Sequence, residues 1–341
     1  MKSIKTIDAV GHILCHDITQ IIKDEKKDAV FRKGHVIREE DIEVLLSVGK
    51  DNVYVWEQKE GMLHENDAAQ ILYNILKNEN ISPTPVKEGK IDAVADIDGL
   101  FRVDKDRLFE INCLDEIMIA TRHTNFPVKA GDHLGGTRVI PLVIDEKQLD
   151  KAKKISGDKP LMELLPYKSL KAGIVTTGNE VFHGRIKDTF TDVIREKIGK
   201  FGFSEMGHIT VPDDTNQIVD AITKLKADGA EVIICTGGMS VDPDDLTPAA
   251  IKKCGANIVT YGAPVLPGAM FLLGYFEDGT PIMGLPGCVM YAKATIFDIV
   301  LPRVAAGVDV TKKDIAVLGH GGYCLQCKVC TYPECGFGKS V

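Results

Sequence analysis

Glu231-Val232-Ile233-Ile234-Cys235-Thr236-Gly237-Gly238-Met239-Ser240 is the stretch that decides the fold. Its first six residues form a near-continuous apolar run, the pattern of a strand covered on both faces. A glycine turn follows, then the acidic residues Asp242, Asp244 and Asp245, and then Thr247-Pro248. Threonine as a cap with proline at the first helical position starts a helix. Strand, glycine turn and helix in this order make one unit of a parallel sheet.

The same order recurs on either side. Upstream, Ala172 to Thr177 is a strand run ending in Thr177-Gly178-Asn179-Glu180, with a helix expected near Thr191 to Phe201. A further strand ends in Val211-Pro212-Asp213-Asp214, ahead of a helix from Asn216 to Ala227. Ile218, Val219, Ile222 and Leu225 share one face of that helix. Downstream, Gly255 ends the Thr247 helix, and Pro281 to Gly284 enters Leu285-Pro286-Gly287-Cys288 before a helix towards Pro302. This alternation predicts an α/β fold for residues 169–307, a doubly wound, mostly parallel sheet, with smaller β-rich N-terminal regions before it.

Residues 1–60 read as an α+β segment, with a helix over Ile37 to Leu46 stopped by Gly49 and a strand from Asn52 to Trp56. Residues 61–89 read as helix and linker: Ala68, Ile71, Leu72, Ile75 and Leu76 form one stripe, Asn66 or Asp67 caps it, and Ser82-Pro83-Thr84-Pro85 breaks it. Residues 90–150 read as β-rich, with strand runs at Val94 to Phe101 and Arg138 to Ile144. Asp145 to Lys154 follows as a surface helix or connector, and residues 318–341 form a cysteine-rich tail.

Composition narrows the function. The chain has 341 residues, 44% of them hydrophobic, and a net charge of −8. Affinity for nucleic acid comes from clustered Lys and Arg, so a general nucleic-acid binder is not expected. No apolar run approaches the roughly 20 residues that span a bilayer, and the first residues carry no long apolar segment before a cleavage site. A cytoplasmic protein without membrane contact is the expectation. Five of the nine cysteines are scattered, as reduced core residues are. The other four, Cys324, Cys327, Cys330 and Cys335, have a metal-type spacing that suits zinc or an iron–sulfur cluster, the two-residue intervals leaning slightly to a cluster. The nine histidines show no zinc-type pairing.

In a parallel sheet the turns after the strands meet at one edge, where phosphorylated ligands bind. Glycine-turn amides and helix N-termini hold phosphate without basic side chains, and carboxylates suit Mg²⁺. Four segments therefore converge: Thr177, Gly178, Asn179 and Glu180 with Asp188; Asp213 and Asp214; Thr236, Gly237, Gly238 and Ser240 with Asp242, Asp245 and Thr247; and Pro286 with Gly287. For Asp213 or Asp214 the plainer reading is a helix cap.

These segments, in order and spacing, resemble the molybdopterin-binding domain of molybdopterin molybdenumtransferases such as MoeA and gephyrin. Thr177-Gly178-Asn179-Glu180, Asp213-Asp214, Gly237-Gly238-Met239-Ser240-Val241 with Asp245, Pro267-Gly268 and Leu285-Pro286-Gly287 carry the likeness. Residues 9–56 add Gly11-His12-Ile13-Leu14, Asp17-Ile18, Lys33-Gly34-His35-Val36-Ile37 and Val48-Gly49. The resemblance implies binding of an adenylated molybdopterin, insertion of molybdate and release of AMP with Mg²⁺. It implies Glu180, Asp214 and Asp245 as the acidic catalytic residues. It also implies a pocket of Gly237, Gly238, Ser240 and Thr247, closed by Pro286-Gly287, and a homodimer.

This chain departs from the family at Cys288-Val289, where Asn-Pro is common, and at Leu266, where a lysine is common. It lacks the Ser-x-x-Asp-Gly-Tyr segment. A carrier or sensor of the finished cofactor, docking a molybdoenzyme or maturation factor, is the alternative from another class. Asp244-Asp245-Leu246-Thr247-Pro248 and Gly184-Arg185-Ile186-Lys187-Asp188-Thr189 also resemble CinA-like proteins, associated with nucleotide pyrophosphatase activity. The choice between molybdenum and tungsten is open at this stage.

Overall fold

The computed structural model describes residues 2–22, 26–55, 61–240, 242–243 and 245–339. Trp56, Val241 and Asp244, all part of the readings above, lie outside the described residues, as do the last two residues of the tail. The chain divides into two compact units: Met1–Ile97 with Arg102–Thr124 and Ala130–Leu164, and Asp98–Phe101 with Asn125–Lys129 and Leu165–Val341. Most of residues 1–150 thus falls in one unit, except 98–101 and 125–129, which fall with the α/β segment and the cysteine tail.

In the first unit, Ile81–Pro83, Lys90–Ala95, His133–Val139 and Ile117–Thr121 form an antiparallel sheet in that order. The helix Glu65–Leu76 packs on it, burying Ala68, Ala69, Leu72, Tyr73, Ile75 and Leu76. The Tyr73 hydroxyl donates to the Ile81 carbonyl at 2.8 Å. Ser82 and Pro83, expected in a linker, are edge strand, the position where proline loses no ladder bond. The cap of the Glu65 helix is His64, whose Nδ1 accepts from Asn66 N at 3.2 Å, rather than Asn66 or Asp67. Histidine is not among the residues that capping preferences favour, so the pattern does not anticipate it. The stretch read as a surface helix or connector is the helix Glu146–Ser156, capped by Asp145, which accepts from Lys147 N at 2.9 Å. The helix expected from Ile37 begins at Asp41, because Ile37 is core instead, packed with Leu14, Leu45, Val53 and Val55.

The second unit contains a six-stranded sheet in the order Ser204–Val211, Lys171–Thr177, Val232–Thr236, Pro281–Leu285, Leu272–Tyr275, Asn257–Tyr261. The first four strands pair in parallel, and Leu272–Tyr275 runs antiparallel to both of its neighbours. Alternate residues of each strand enter separate cores. Ala172, Ile174, Val232, Ile234, Met283 and Leu285 pack with the helices Phe190–Gly199 and Ile296–Ala305. Val175, Ile233, Cys235, Leu272 and Ile282 pack with Thr215–Ala227 and Thr247–Lys253. Both faces are covered by helices, which is why the strand is apolar from Val232 to Cys235. The expected doubly wound, mostly parallel sheet is present.

The helix expected from Pro286 is broken. Gly287–Met290 is a single 3-10 turn, and the helix proper is Ile296–Ala305. Thr295 and Asp298 form a capping box there, with Pro302 inside the helix. The tail folds against this unit: Phe337 is buried in the core, and Tyr332 donates its hydroxyl to the Asp298 carbonyl at 2.9 Å. No helix among the described residues is long and apolar enough to cross a membrane.

Candidate functional site

The register of the parallel strands decides where the loops lie. Thr177 is level with Val211, Thr176 with Thr236, and Thr236 with Leu285. The four loops that follow therefore leave one edge of the sheet together. Direct bonds join neighbouring loops. Asn179 N donates to Asp213 Oδ2 at 2.9 Å, and the Thr177 and Thr247 hydroxyls meet at 3.2 Å.

The Gly237-Gly238 turn is held tightly. Gly237 has φ +81° and Gly238 φ +54°, the left-handed region that glycine occupies without penalty. A Cβ on Gly237 would collide with the Thr177 carbonyl oxygen and sit 2.7 Å from Thr177 Oγ1. Thr247 was expected to cap its helix. Instead its fully buried hydroxyl donates to the Gly237 carbonyl at 2.8 Å, and the cap position, Leu246, makes no side-chain bond. The helix begins at Thr247 itself, one position past the cap, so its side chain lies over the glycine turn instead of the helix amides.

A cleft of about 440 Å³ opens beside this turn. Gly237, Gly238, Ser240, Asp245, Pro286 and Gly287, all expected at the site, line it. Phe190 and Met270 line it too and were missed, and Met239 and Cys288, within the expected segments, line it without having been assigned a role. Apolar residues beside a turn or helix start read as core, so the pattern does not mark Phe190 or Met270 as lining. Tyr261, also missed, donates its hydroxyl to the carbonyls of Met239 and Ser240, each at 3.1 Å, and so steadies the loop. Burial pushes the Tyr261 phenol up, and the Asp245 carboxylate adds to this. Burial likewise raises the Cys288 thiol, keeping it protonated at neutral pH.

The other expected residues stand around the cleft rather than in its wall. Asp214 caps the Thr215–Ala227 helix, its Oδ1 accepting from Gln217 N at 2.9 Å, as the plainer reading held. The Glu180 carboxylate folds back over Gly178. Asp242 offers its carbonyl to Asp245 N, and its own amide donates to Asp245 Oδ2, each at 2.9 Å. Thr176, Thr191, Asp188 and His208 form a polar network below the edge: Thr191 Oγ1 donates to Asp188 Oδ2 at 2.6 Å, and Thr176 Oγ1 is 2.9 Å from His208 Nε2. Thr236 Oγ1 reaches this network through Thr176 at 3.4 Å.

Asp188 yields a pH prediction. Burial alone would raise its carboxyl, but bonds from Thr191 and Phe190 and the nearby His208 outweigh it and hold the group below its ordinary range. A depressed folded-state carboxyl contributes stability that is fully present above the unfolded value of about 4 and lost as pH falls through the folded one. Asp188→Asn should therefore lower the urea midpoint at pH 7, with the gap to the parent chain closing below about pH 4. A gap that stays constant from pH 7 to pH 3 contradicts this role.

Among the described residues the lining carries one formal charge, Asp245, and no basic side chain. Bare phosphate would be repelled by it, whereas phosphate with a divalent cation would not. The four tail cysteines are free thiols, and among the described residues no three His, Cys, Asp or Glu side chains make a ready metal-holding group.

Parts of the chain are similar to known proteins. Residues 173–306 match the family described as a probable molybdopterin binding domain, and residues 3–57 match a domain of unknown function (DUF8806). A CinA-like protein of Mycobacterium sp. (strain MCS) is 36% identical over 93 residues, 27% of this chain and 22% of that protein. A molybdopterin molybdenumtransferase of Haemophilus influenzae is 27% identical over 152 residues, 42% of this chain and 37% of that protein. The chain thus spans well under half the length of these relatives. Among solved structures, the molybdopterin biosynthesis enzyme MoaB of Thermus thermophilus is 23% identical with a TM-score of 0.32. It covers 40% of this chain and 97% of its own. The tungsten cofactor synthesizing protein MoaB of Pyrococcus furiosus is 21% identical with a TM-score of 0.34, covering 40% and 93%.

Proposed function

We propose that the second unit binds an adenylated molybdopterin in the cleft beside Gly237 and Asp245, and inserts molybdate into it with release of AMP. The observation that carries this reading is the Gly237–Asp245 loop, set at the edge of a parallel sheet within a segment matching a probable molybdopterin binding domain. The wall chemistry supports it. Met239, Met270 and Phe190 offer an apolar surface to a flat pterin, while the turn amides and the Ser240 hydroxyl suit phosphate oxygens.

In this reading Mg²⁺ is held by Asp245, and Glu180 supplies a second carboxylate from the loop after the Lys171–Thr177 strand. The cation would neutralise phosphate charge and polarise the bond to AMP. Asp214 is assigned a positioning role through the helix it caps. Gephyrin-like homodimerisation, a molybdoenzyme partner and a cytoplasmic site of action belong to the same proposal.

Two other readings have observations of their own. The match to CinA-like proteins favours a nucleotide pyrophosphatase. The placement of Glu180 and Asp214 outside the cleft wall favours a carrier that binds the cofactor without turnover.

One experiment separates the three. The whole chain is incubated with adenylated molybdopterin, Mg²⁺ and molybdate, and AMP is measured. The transferase reading expects molybdate-dependent AMP release that falls at least about 100-fold in Asp245→Ala. Tight binding without AMP points to the carrier. AMP released at the same rate without molybdate points to the pyrophosphatase.

A further inference from the structure

The cysteines at the end of the chain stand apart from the cleft. Residues 320–339 are built into the second unit. Leu266 N donates to the Gly322 carbonyl and Cys324 N to the Leu266 carbonyl, each at 2.8 Å, and Gly338 N donates to the Gly321 carbonyl at 2.9 Å. Phe337 is buried, and its ring meets that of Tyr332 edge-on at 6.0 Å. A reduced tail with no further task needs none of this anchoring.

The anchored segment encloses a cavity of about 610 Å³, and Cys324, Cys327, Cys330 and Cys335 all line it. Cys324 and Cys335 pack against the core, whereas Cys327 and Cys330 are exposed. Gln326 holds φ +52°, so the chain turns sharply between the first two cysteines. The thiols are free and ring the cavity rather than meeting at one point.

Two ligand classes use four thiolates. Structural zinc takes two cysteine pairs separated by a long segment, with all four sulfurs around one ion. Here three cysteines follow at two-residue intervals and the fourth comes four residues on, close to the run that holds iron–sulfur clusters. Space around a ring of thiols suits a polynuclear group better than one ion. Lys293, on the same wall, opposes the negative charge of a thiolate-bound cluster.

We propose that Cys324, Cys327, Cys330 and Cys335 hold an iron–sulfur cluster in this cavity. The site shares its boundary loops with the cleft: Pro267 lines one and Ala269 the other, as do Tyr291 and Cys288. The proposal does not depend on what the cleft binds.

The test uses the full chain, purified without oxygen and incubated with ferric iron, sulfide and dithiothreitol. After desalting, it should retain about four iron and four sulfide per chain and show broad visible absorption that bleaches on reduction. Cys327→Ser and Cys330→Ser alter exposed side chains, so both should keep the parent far-ultraviolet circular dichroism while iron falls several-fold. A folded parent chain that retains no iron overturns the proposal. So does one that binds a single zinc and excludes iron, or a pair of folded variants that keep parental iron.

Discussion

Replacing Gly237 with alanine is expected to lower the unfolding free energy of the second unit by roughly 2–4 kcal/mol and to abolish ligand binding in the cleft. The left-handed backbone contributes one part of this, about 1–2 kcal/mol for any residue with a Cβ. The collision with the Thr177 carbonyl contributes the rest, since that oxygen belongs to the adjoining strand end and cannot swing aside. Gly255 separates the two parts. It has φ +83° but open space around its missing Cβ, so Gly255→Ala should show the backbone part alone and leave the cleft intact. Urea titrations of both variants measure the difference. Equal losses would mean that the close approach at Gly237 does not hold the turn.

A larger loss of stability is expected from Phe297→Ala, about 3–5 kcal/mol. Phe297 is fully buried, one residue into the helix that the Thr295 box begins, in the core with Val232, Ile234 and Leu285. Its removal leaves a void under the strand ends that carry the site. Tyr291, 75% exposed a few residues before, should cost less than about 0.5 kcal/mol when truncated. Thermal or urea unfolding of the two variants checks the contrast, and similar values for both would contradict the placement of this helix in the core.

What the sequence disclosed and what it hid have physical reasons. Strand periodicity and the glycine turns place the α/β sheet and its loops, because burial on both faces leaves long apolar runs and sharp reversals leave glycines. The Gly237-Gly238, Ser240, Asp245 and Pro286-Gly287 part of the cleft follows from that order alone. Thr247 was misjudged because a threonine before proline has the same local pattern whether it caps a helix or bonds a distant turn. Ser82-Pro83 was misjudged because an edge strand tolerates the residues that mark a linker. The packing of Phe337 and Tyr332 depends on partners such as Asp298, 34 residues away from Tyr332, and no local pattern encodes that. The cleft lining by Met270 and Phe190 was hidden for the reason that apolar residues look alike whether they fill a core or face a ligand.

The most direct measurement is a crystal structure of the intact chain grown with adenylated molybdopterin and Mg²⁺. The pterin should lie against Met239 and Met270, with its phosphates at the Gly237–Ser240 amides and the cation on Asp245. A ligand seated away from that sheet edge, with the glycine turn unchanged and empty, would contradict the account.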